Sequence, residues 1–401
     1  MKSRVYIIGT LDTKGEELRY AQRMVENAGA KTVLVDVSTT AHKAKADVNA
    51  RTVAQFHPKG EAAVLGLDDR GAAVSAMAVA LTGYLTSRPD VGGVLGLGGS
   101  GNTAIVTAAM RALAIGVPKL MVSTMASGNT APYVGPSDIA MMYPVVDVAG
   151  LNAISRKVIA NAAHAVAGMA LHAISRVKTD KPSVGMTMFG VTTACVTQIR
   201  EKIEATHECF VFHATGTGGQ SMEKLVDSRL IDSMIDITTT EVADYLSGGI
   251  LPCTDDRFGA VIRTGVPYVG SVGAADMVNF GARNTVPQKF EGRKFHIHNP
   301  QVTLMRTTPQ ENRAIGAWIV ERLNRMAGPV RFLLPLKGVS AIDAAGQPFQ
   351  DTEADAELFA AIRKGWVSAR NRKLIEVDAH INDAIFALDV VKHFKAIARV
   401  K

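Results

Sequence analysis

The chain has 401 residues, 47% hydrophobic and 20% charged. That balance excludes a disordered or fibrous protein and fits two or three domains of about 150 residues. Lys and Arg number 44 against 37 Asp and Glu, a formal charge of +7; without an arginine-rich arm or aromatics interleaved with a basic stripe, nucleic-acid binding has no support, and anionic small molecules fit at least as well.

Apolar runs alternate between strand and helix character in chain order. Val5–Ile8 reads as a buried strand, Glu16–Asn27 as a helix and Lys31–Val37 as a strand. Gly71–Leu85 is a helix rich in Ala, followed by strand Val91–Leu97, helix Thr103–Ala114 and strand Lys119–Ser123. Met141–Val146 reads as one more strand and Asn152–Ser175 as a long helix. The polar stretch Arg176–Pro182, closed by a proline, reads as a linker between domains at 1–178 and 183–401.

The rhythm then restarts. Strands are expected at Val184–Phe189, Glu208–His213, Ile235–Thr238, Pro267–Gly270, Gln301–Arg306, Val330–Pro335 and Lys373–Val377. Helices are expected at Ala194–Ile203, Ser221–Ser228, Thr240–Leu246, Pro309–Met326, Glu353–Arg363 and Asn382–Ala398. Continuous Val/Ile/Leu strands alternating with helices predict an α/β protein of two doubly wound, Rossmann-like domains with mainly parallel sheets. In such sheets ligands sit beyond the carboxyl ends of the strands, so the loops there carry the functional reading.

Three cysteines, Cys195, Cys209 and Cys253, form no CxxC pair and no metal-ligand spacing. Cys195 stands at a helix start, where the dipole would lower a thiol pKa, although a buried structural cysteine is commoner. Apolar runs are broken before membrane-spanning length, and the first strand begins too early for a signal peptide. A cytoplasmic protein without membrane segments is expected.

The first loop is Gly9-Thr10-Leu11-Asp12-Thr13-Lys14-Gly15-Glu16-Glu17. Thr10, Asp12 or Thr13 could cap the helix that follows, and Thr13 with Glu16 forms a capping-box pair, which explains the loop as a helix start. The alternative to this commoner cap reading is that free N–H groups beside Lys14 meet a phosphate there. The loop lacks the GK[ST] ending of a Walker A motif. The second loop, Gly96-Leu97-Gly98-Gly99-Ser100-Gly101-Asn102-Thr103, holds more glycine than a turn needs and permits close backbone approach to a ligand. A third, Ser123–Gly135, is rich in small hydroxyl residues. Elsewhere, Asp68 or Asp69 would cap the helix Gly71–Leu85, and Arg70 would offer a fork of donors to an anion.

The second half carries Thr/Gly loops on three successive strand ends. Thr192 and Thr193 follow one strand, Thr215, Gly216, Thr217, Gly218 and Gly219 the next, and Thr240 the third. Together they point to a second site for a small anionic metabolite. Glu241, Asp255 or Asp256 would then serve as base or metal ligand. His296 and His298 share one strand face, but two imidazoles fall short of a metal set.

The motifs GTLDTKGEEL, GLGGSGNTA, STMASGNTAPYVG, FGVTT, FHATGTGGQSMEKL, TTTEVADYL and HNPQVTLMRTT, in this order, carry a resemblance across essentially the whole chain. The chain resembles the family of the ATP-binding N-terminal region of the tomato mosaic virus resistance protein and its bacterial relatives. That resemblance implies two Rossmann-like subdomains, a homodimer or higher homo-oligomer, and ATP with Mg in the first subdomain. By position it implies nucleotide contacts from Thr10, Leu11, Asp12, Thr13 and Lys14, from Ser38 or Thr39, from Arg70, and from Gly98, Gly99, Ser100 and Gly101. The metal ligands and any catalytic residue stay open. The expected function is an enzyme coupling Mg-ATP to a small anionic metabolite by phosphoryl or adenylyl transfer. The alternative is a nucleotide-binding regulatory or interaction protein without turnover. A nicotinamide oxidoreductase is disfavoured by the unmatched glycine register.

Overall fold

The computed structural model describes residues 3–174 and 180–398. The chain divides into two compact units, Met1–Arg176 and Val177–Lys401. The linker expected at 176–182 begins outside the described residues, as does the last residue of the helix expected at 152–175.

The first unit runs β1 (Arg4–Gly9), α1 (Leu11–Asn27), β2 (Thr32–Asp36), α2 (Ala50–Ala54), α3 (Arg70–Thr86) and β3 (Val91–Gly98). It continues with α4 (Ser100–Ala112), β4 (Lys119–Ser123), α5 (Ala131–Val134), β5 (Ala140–Met142) and α6 (Ala153–Leu171). Its five strands are ordered β2-β1-β3-β4-β5, and every pairing is parallel. Period-two alternation decides which helices each strand residue meets. In β1, Val5 and Ile7 join the cluster under α1 and α6, while Tyr6 and Ile8 join the one under α3 and α4. Burying each such side chain stabilises the unit by about 1.5–3 kcal/mol.

The second unit runs β6 (Ser183–Met188), α7 (Thr193–Ile203), β7 (Glu208–His213), α8 (Thr217–Asp227), β8 (Ser233–Thr238), α9 (Thr240–Ser247), α10 (Gly259–Thr264) and β9 (Tyr268–Gly273). There follow β10 (Met277–Phe280), β11 (Phe295–Asn299), β12 (Val302–Arg306), α11 (Pro309–Arg325), β13 (Val330–Pro335), α12 (Thr352–Gly365), β14 (Arg372–Val377) and α13 (Ala384–Lys395). Its six-stranded parallel sheet is ordered β14-β13-β9-β8-β6-β7. Counted from its own first strand, this repeats the 2-1-3-4-5 order of the first unit and adds a sixth strand. One face packs on α7 and α13 through Val184, Ile235, Leu333 and Phe394; the other carries Tyr268, Phe332 and the larger cluster.

The α/β reading with two Rossmann-like sheets is correct. Two details differ. The strand expected at Gln301–Arg306 lies in a separate antiparallel sheet, β10-β12-β11, inserted after β9. The strand expected at Met141–Val146 stops at Met142, and Val145 takes a left-handed backbone with φ 68°.

Candidate functional site

In the first sheet β1 leads outward to β2, and the chain then returns to β3 on the other side of β1. The strand order therefore reverses between β1 and β3, where open α/β sheets form their ligand crevice. The loop after β1 and the loop after β3 flank that point. The backbone comes very close there: a Cβ on Gly9 would sit 2.8 Å from Leu18 and 3.3 Å from Asn102 Nδ2. Gly98 holds φ 152°, and a Cβ on it would lie 2.9 Å from Asn102 Cβ. Asn102 thus fills the space between the two strand ends. Its Nδ2 donates to the Leu97 carbonyl, while its buried Oδ1 has no partner among the described residues.

The two helices starting at this rim differ. Helix α1 begins at Leu11, within the loop rather than at Glu16, with non-helical dihedrals at Lys14. Its first N–H groups are already engaged. Leu11 N donates to Asp36 Oδ1 at 3.1 Å, Asp12 N to Ser38 Oγ at 3.2 Å, and Lys14 N to the Thr10 carbonyl at 2.8 Å. The capping box expected from Thr13 and Glu16 does not form, because the end of β2 supplies the acceptors instead. Asp36, at 3% exposure, also accepts from Ser38 N and Oγ and contacts His42 Nε2 at 2.8 Å. Thr39 is half-buried, and Ser38 is committed to this cap.

Helix α4 starts without any such partner. Gly99 is its N-cap and offers no side chain. The N–H groups of Ser100, Gly101 and Asn102 have no acceptor among the described residues. A helix start in that condition carries partial positive charge and oriented donors, the requirements for an anion. The N-terminal part of α3 packs beside it: Val74 lies 3.8 Å from where a Gly101 Cβ would stand, and Arg70 precedes Val74 by one turn on the same face. Arg70 is exposed, Lys14 is half-buried, and neither side chain has an ion-pair or hydrogen-bond partner among the described residues. Asp69 caps α3, accepting from Ala72 N at 2.6 Å.

The equivalent rim of the second unit is filled. Thr192 and Thr240 are fully buried, and Thr192 Oγ1 lies 2.8 Å from Thr238 Oγ1. A Cβ on Gly216 would collide with the Pro252 carbonyl, one on Gly218 with the His213 carbonyl, and one on Gly219 with the Glu241 carboxylate. These glycines make room for the chain's own oxygens. Thr193 and Thr217 are exposed and Thr215 half-buried, so the outward part of the expected lining reduces to these hydroxyls with half-buried Gly218.

Beneath them lies a buried ionic cluster. Arg257, at 3% exposure, reaches Asp236 at 2.8 Å, Glu223 at 3.0 Å and Glu241 at 2.5 Å, and Glu241 also accepts from Gly216 N. Burial pushes Glu223 and Glu241 above the carboxylate range, against the pull of Arg257. Burial opposes the Arg257 charge too, but the carboxylates, Asp236 first, outweigh it and hold Arg257 well above its ordinary value. Asp255 pairs with Arg322 at 2.6 Å and Asp256 with Arg263 at 2.7 Å. All three acids proposed as base or metal ligand are therefore engaged. No group of three or more His, Cys, Asp or Glu side chains suited to a metal occurs among the described residues. Cys195 is fully buried, and burial pushes its thiol up, away from reactivity.

The sequence alone gives no role to Asn102, Asp36 or Arg257. Asn102 stood in view at the end of the GGSGN run. Asp36 and Arg257 carried no local signal, because their partners are distant in sequence.

Comparison with known proteins adds the family. Residues 3–175 match the N-terminal domain and residues 181–398 the C-terminal domain of the Uncharacterised protein family (UPF0261). The UPF0261 protein mlr3387 of Mesorhizobium japonicum is 55% identical, over 97% of this chain and 100% of that protein. The ToMV resistance protein Tm-1(GCR237) of Solanum lycopersicum is 42% identical, over 98% of this chain and 56% of its own length. Among solved structures, a UDP-N-acetylglucosamine 2-epimerase from Rickettsia bellii aligns at 12% identity with a TM-score of 0.24, over 67% of this chain and 78% of that one; so low a score carries no argument. The chain belongs to the UPF0261 family. No helix among the described residues is long and apolar enough to cross a membrane.

Proposed function

We propose that this UPF0261 member binds a nucleoside triphosphate on its first unit, with the phosphates on the open start of α4. The observation that carries this is the contrast between the two helix starts: α1 is capped by Asp36 and Ser38, whereas Ser100, Gly101 and Asn102 keep free N–H groups. Lys14 and Arg70 supply the cations, and the glycines at 99 and 101 keep side chains out of the approach, while Gly98 makes room for Asn102. The ligand's phosphate would thus settle on GGSG, with Thr10–Lys14 as a flanking wall. Magnesium would arrive with the triphosphate, since Mg²⁺ needs only one or two carboxylates beside phosphate oxygens. Asp12 is the exposed acid in that wall.

For the reaction, we propose phosphoryl or adenylyl transfer to a small anionic metabolite held through Thr193, Thr215 and Thr217 of the second unit. Such transfer rests on positioning and charge rather than on an elaborate nucleophile. The runner-up is a nucleotide-binding regulator without turnover. It is favoured by the packed state of Thr192, Thr240, Gly216 and Gly219 and by the engagement of Glu241, Asp255 and Asp256.

Thermal midpoints measured against Mg-ATP test the binding. A ligand of the native state stabilises it by about 2.7 kcal/mol at a hundredfold excess over Kd. A flat midpoint and no calorimetric heat at millimolar Mg-ATP would overturn the reading. Phosphate or pyrophosphate release, measured over a panel of small carboxylates and phosphate esters, then separates enzyme from regulator.

A further inference from the structure

At the opposite end of the first sheet from this rim lies a cavity of about 640 Å³. It opens among the starts of β1 and β2 and the ends of α1 and α3. The volume is in the range of small-molecule sites. Two cations and two carboxylates line it without pairing: Lys31 and Arg88, Glu26 and Asp47. None of the four makes an ion pair among the described residues. Each acid instead accepts one bond from its own surroundings, Glu26 from Thr32 Oγ1 at 2.6 Å and Asp47 from Leu34 N at 2.7 Å. Both retain unused lone pairs.

A second observation points to a ligand. Tyr84 lines the cavity at 3% exposure, yet its hydroxyl has no hydrogen-bond partner among the described residues. Its neighbour Tyr6 differs, donating to Asp90 at 2.9 Å. The Arg88 guanidinium stacks on the Tyr84 ring at 4.7 Å and near the Phe56 ring at 5.7 Å, which orients its donors without consuming them. The last turns of α1 and α3 contain no basic residue. Their carbonyl ends favour positive charge, so an anion alone is poorly matched. A ligand with both signs gives partners to Arg88, the Tyr84 hydroxyl and both acids, while Arg4 and Asp90, also in the lining, pair with each other at 3.5 Å.

We propose that this cavity is a second ligand site, binding a small zwitterion of the α-amino-acid class. Its carboxylate meets Arg88 and the Tyr84 hydroxyl, and its ammonium meets Glu26 and Asp47. The site is separate from the nucleotide rim and does not depend on that reading.

The test is calorimetry on the full chain with the standard amino acids at up to roughly 10 mM, a ceiling that still detects millimolar Kd. The expected result is saturable binding of one or a few, unchanged in saturating Mg-ATP and in Lys14→Ala. The matching deaminated acid and the matching decarboxylated amine should each bind at least about tenfold more weakly, one charge-assisted hydrogen bond being lost. Tyr84→Phe keeps the ring and should weaken binding about five- to tenfold. Glu26→Gln and Arg88→Gln, at exposed positions, keep the test open should the tyrosine variant misfold. No binder in the panel, equal binding of a singly charged analogue, competition by ATP, or wild-type affinity in Glu26→Gln and Arg88→Gln would each overturn the proposal.

Discussion

The two units share one strand order and the same kind of loop, yet their carboxyl rims are opposites. Gly99 and Gly101, where an added Cβ would meet nothing closer than 3.8 Å, stand at a helix start whose donors face no acceptor among the described residues. Gly216, Gly218 and Gly219 stand where the chain's own carbonyls and the Glu241 carboxylate would strike any Cβ. A glycine-rich turn after a strand is thus evidence of close approach, and the approaching group is a ligand only if no protein atom has taken the place.

Four experiments break or sharpen this contrast. The largest effect is expected from Arg257→Met, which leaves Glu223, Asp236 and Glu241 uncompensated in the second unit. Breaking a buried ion cluster on one side costs about 3–5 kcal/mol. Urea unfolding should register it, and a wild-type midpoint would mean that the cluster is solvated.

Gly218→Ala should cost about 3 kcal/mol or more, since the new Cβ meets backbone that cannot swing away. Gly101→Ala in the first unit meets only Val74 at 3.8 Å and should change stability by less than about 1 kcal/mol, helped by helix propensity. Equal costs in calorimetric unfolding would erase the distinction between the rims.

Lys14→Ala and Arg70→Ala should each weaken ATP by about 1.5–3 kcal/mol while leaving adenosine nearly untouched, because each removes a partner of phosphate. Equal losses for both ligands, read by titration calorimetry, would assign these side chains to the fold.

The smallest effect per step is in pH, where the units should respond with opposite sign. Burial pushes Asp244 of the second unit up to about 7, against three hydrogen bonds from Asn279 and Leu251. The native state then holds a proton that the unfolded chain has lost, so stability falls as pH rises from about 4 to about 7, by at most about 1.4 kcal/mol per pH unit for one proton. Asp138 of the first unit is held below the carboxylate range: burial opposes this, but Lys119 at 2.6 Å and Gly116 N prevail. Its contribution is present above the unfolded pKa and is lost as pH falls through the folded one. Urea midpoints of Asp244→Asn and Asp138→Asn across pH 3–8 check both signs; a slope unchanged by either substitution would remove that residue from the account.

The architecture was legible because buried parallel strands leave continuous apolar runs, and the helices of both units start or stop at Gly, Asp, Asn or Thr. The β10-β12-β11 sheet was not legible as such. Its register depends on pairings such as Phe280 with Thr303, and Val302–Arg306 read alone resembles any buried strand. At the first rim, local pattern singles out both loops but does not show which helix start is capped by the protein itself. GTLDTK looks like an open helix start until Asp36, 25 residues downstream of Leu11, closes it. The second rim was over-read for the same reason: whether Thr192 or Gly219 faces solvent depends on Thr238 and Glu241, which local pattern does not bring near.

Asn382 carries a consequence for the order of assembly. Its side-chain oxygen accepts from Cys195 N at 3.2 Å, its Nδ2 donates to the Val191 carbonyl at 3.0 Å, and its own carbonyl accepts from Gln198 Nε2 at 3.1 Å. Helix α7, among the first elements of its unit to be translated, is therefore capped by a residue about 190 positions later and covered by the helix that follows it. A ribosome emitting this chain releases every strand and helix of the first unit before β6 begins. The second unit must hold the apolar face of α7 uncovered until α13 emerges. At synthesis rates of about 5–20 residues per second that exposure lasts on the order of ten seconds or more, the interval in which nascent-chain chaperones act.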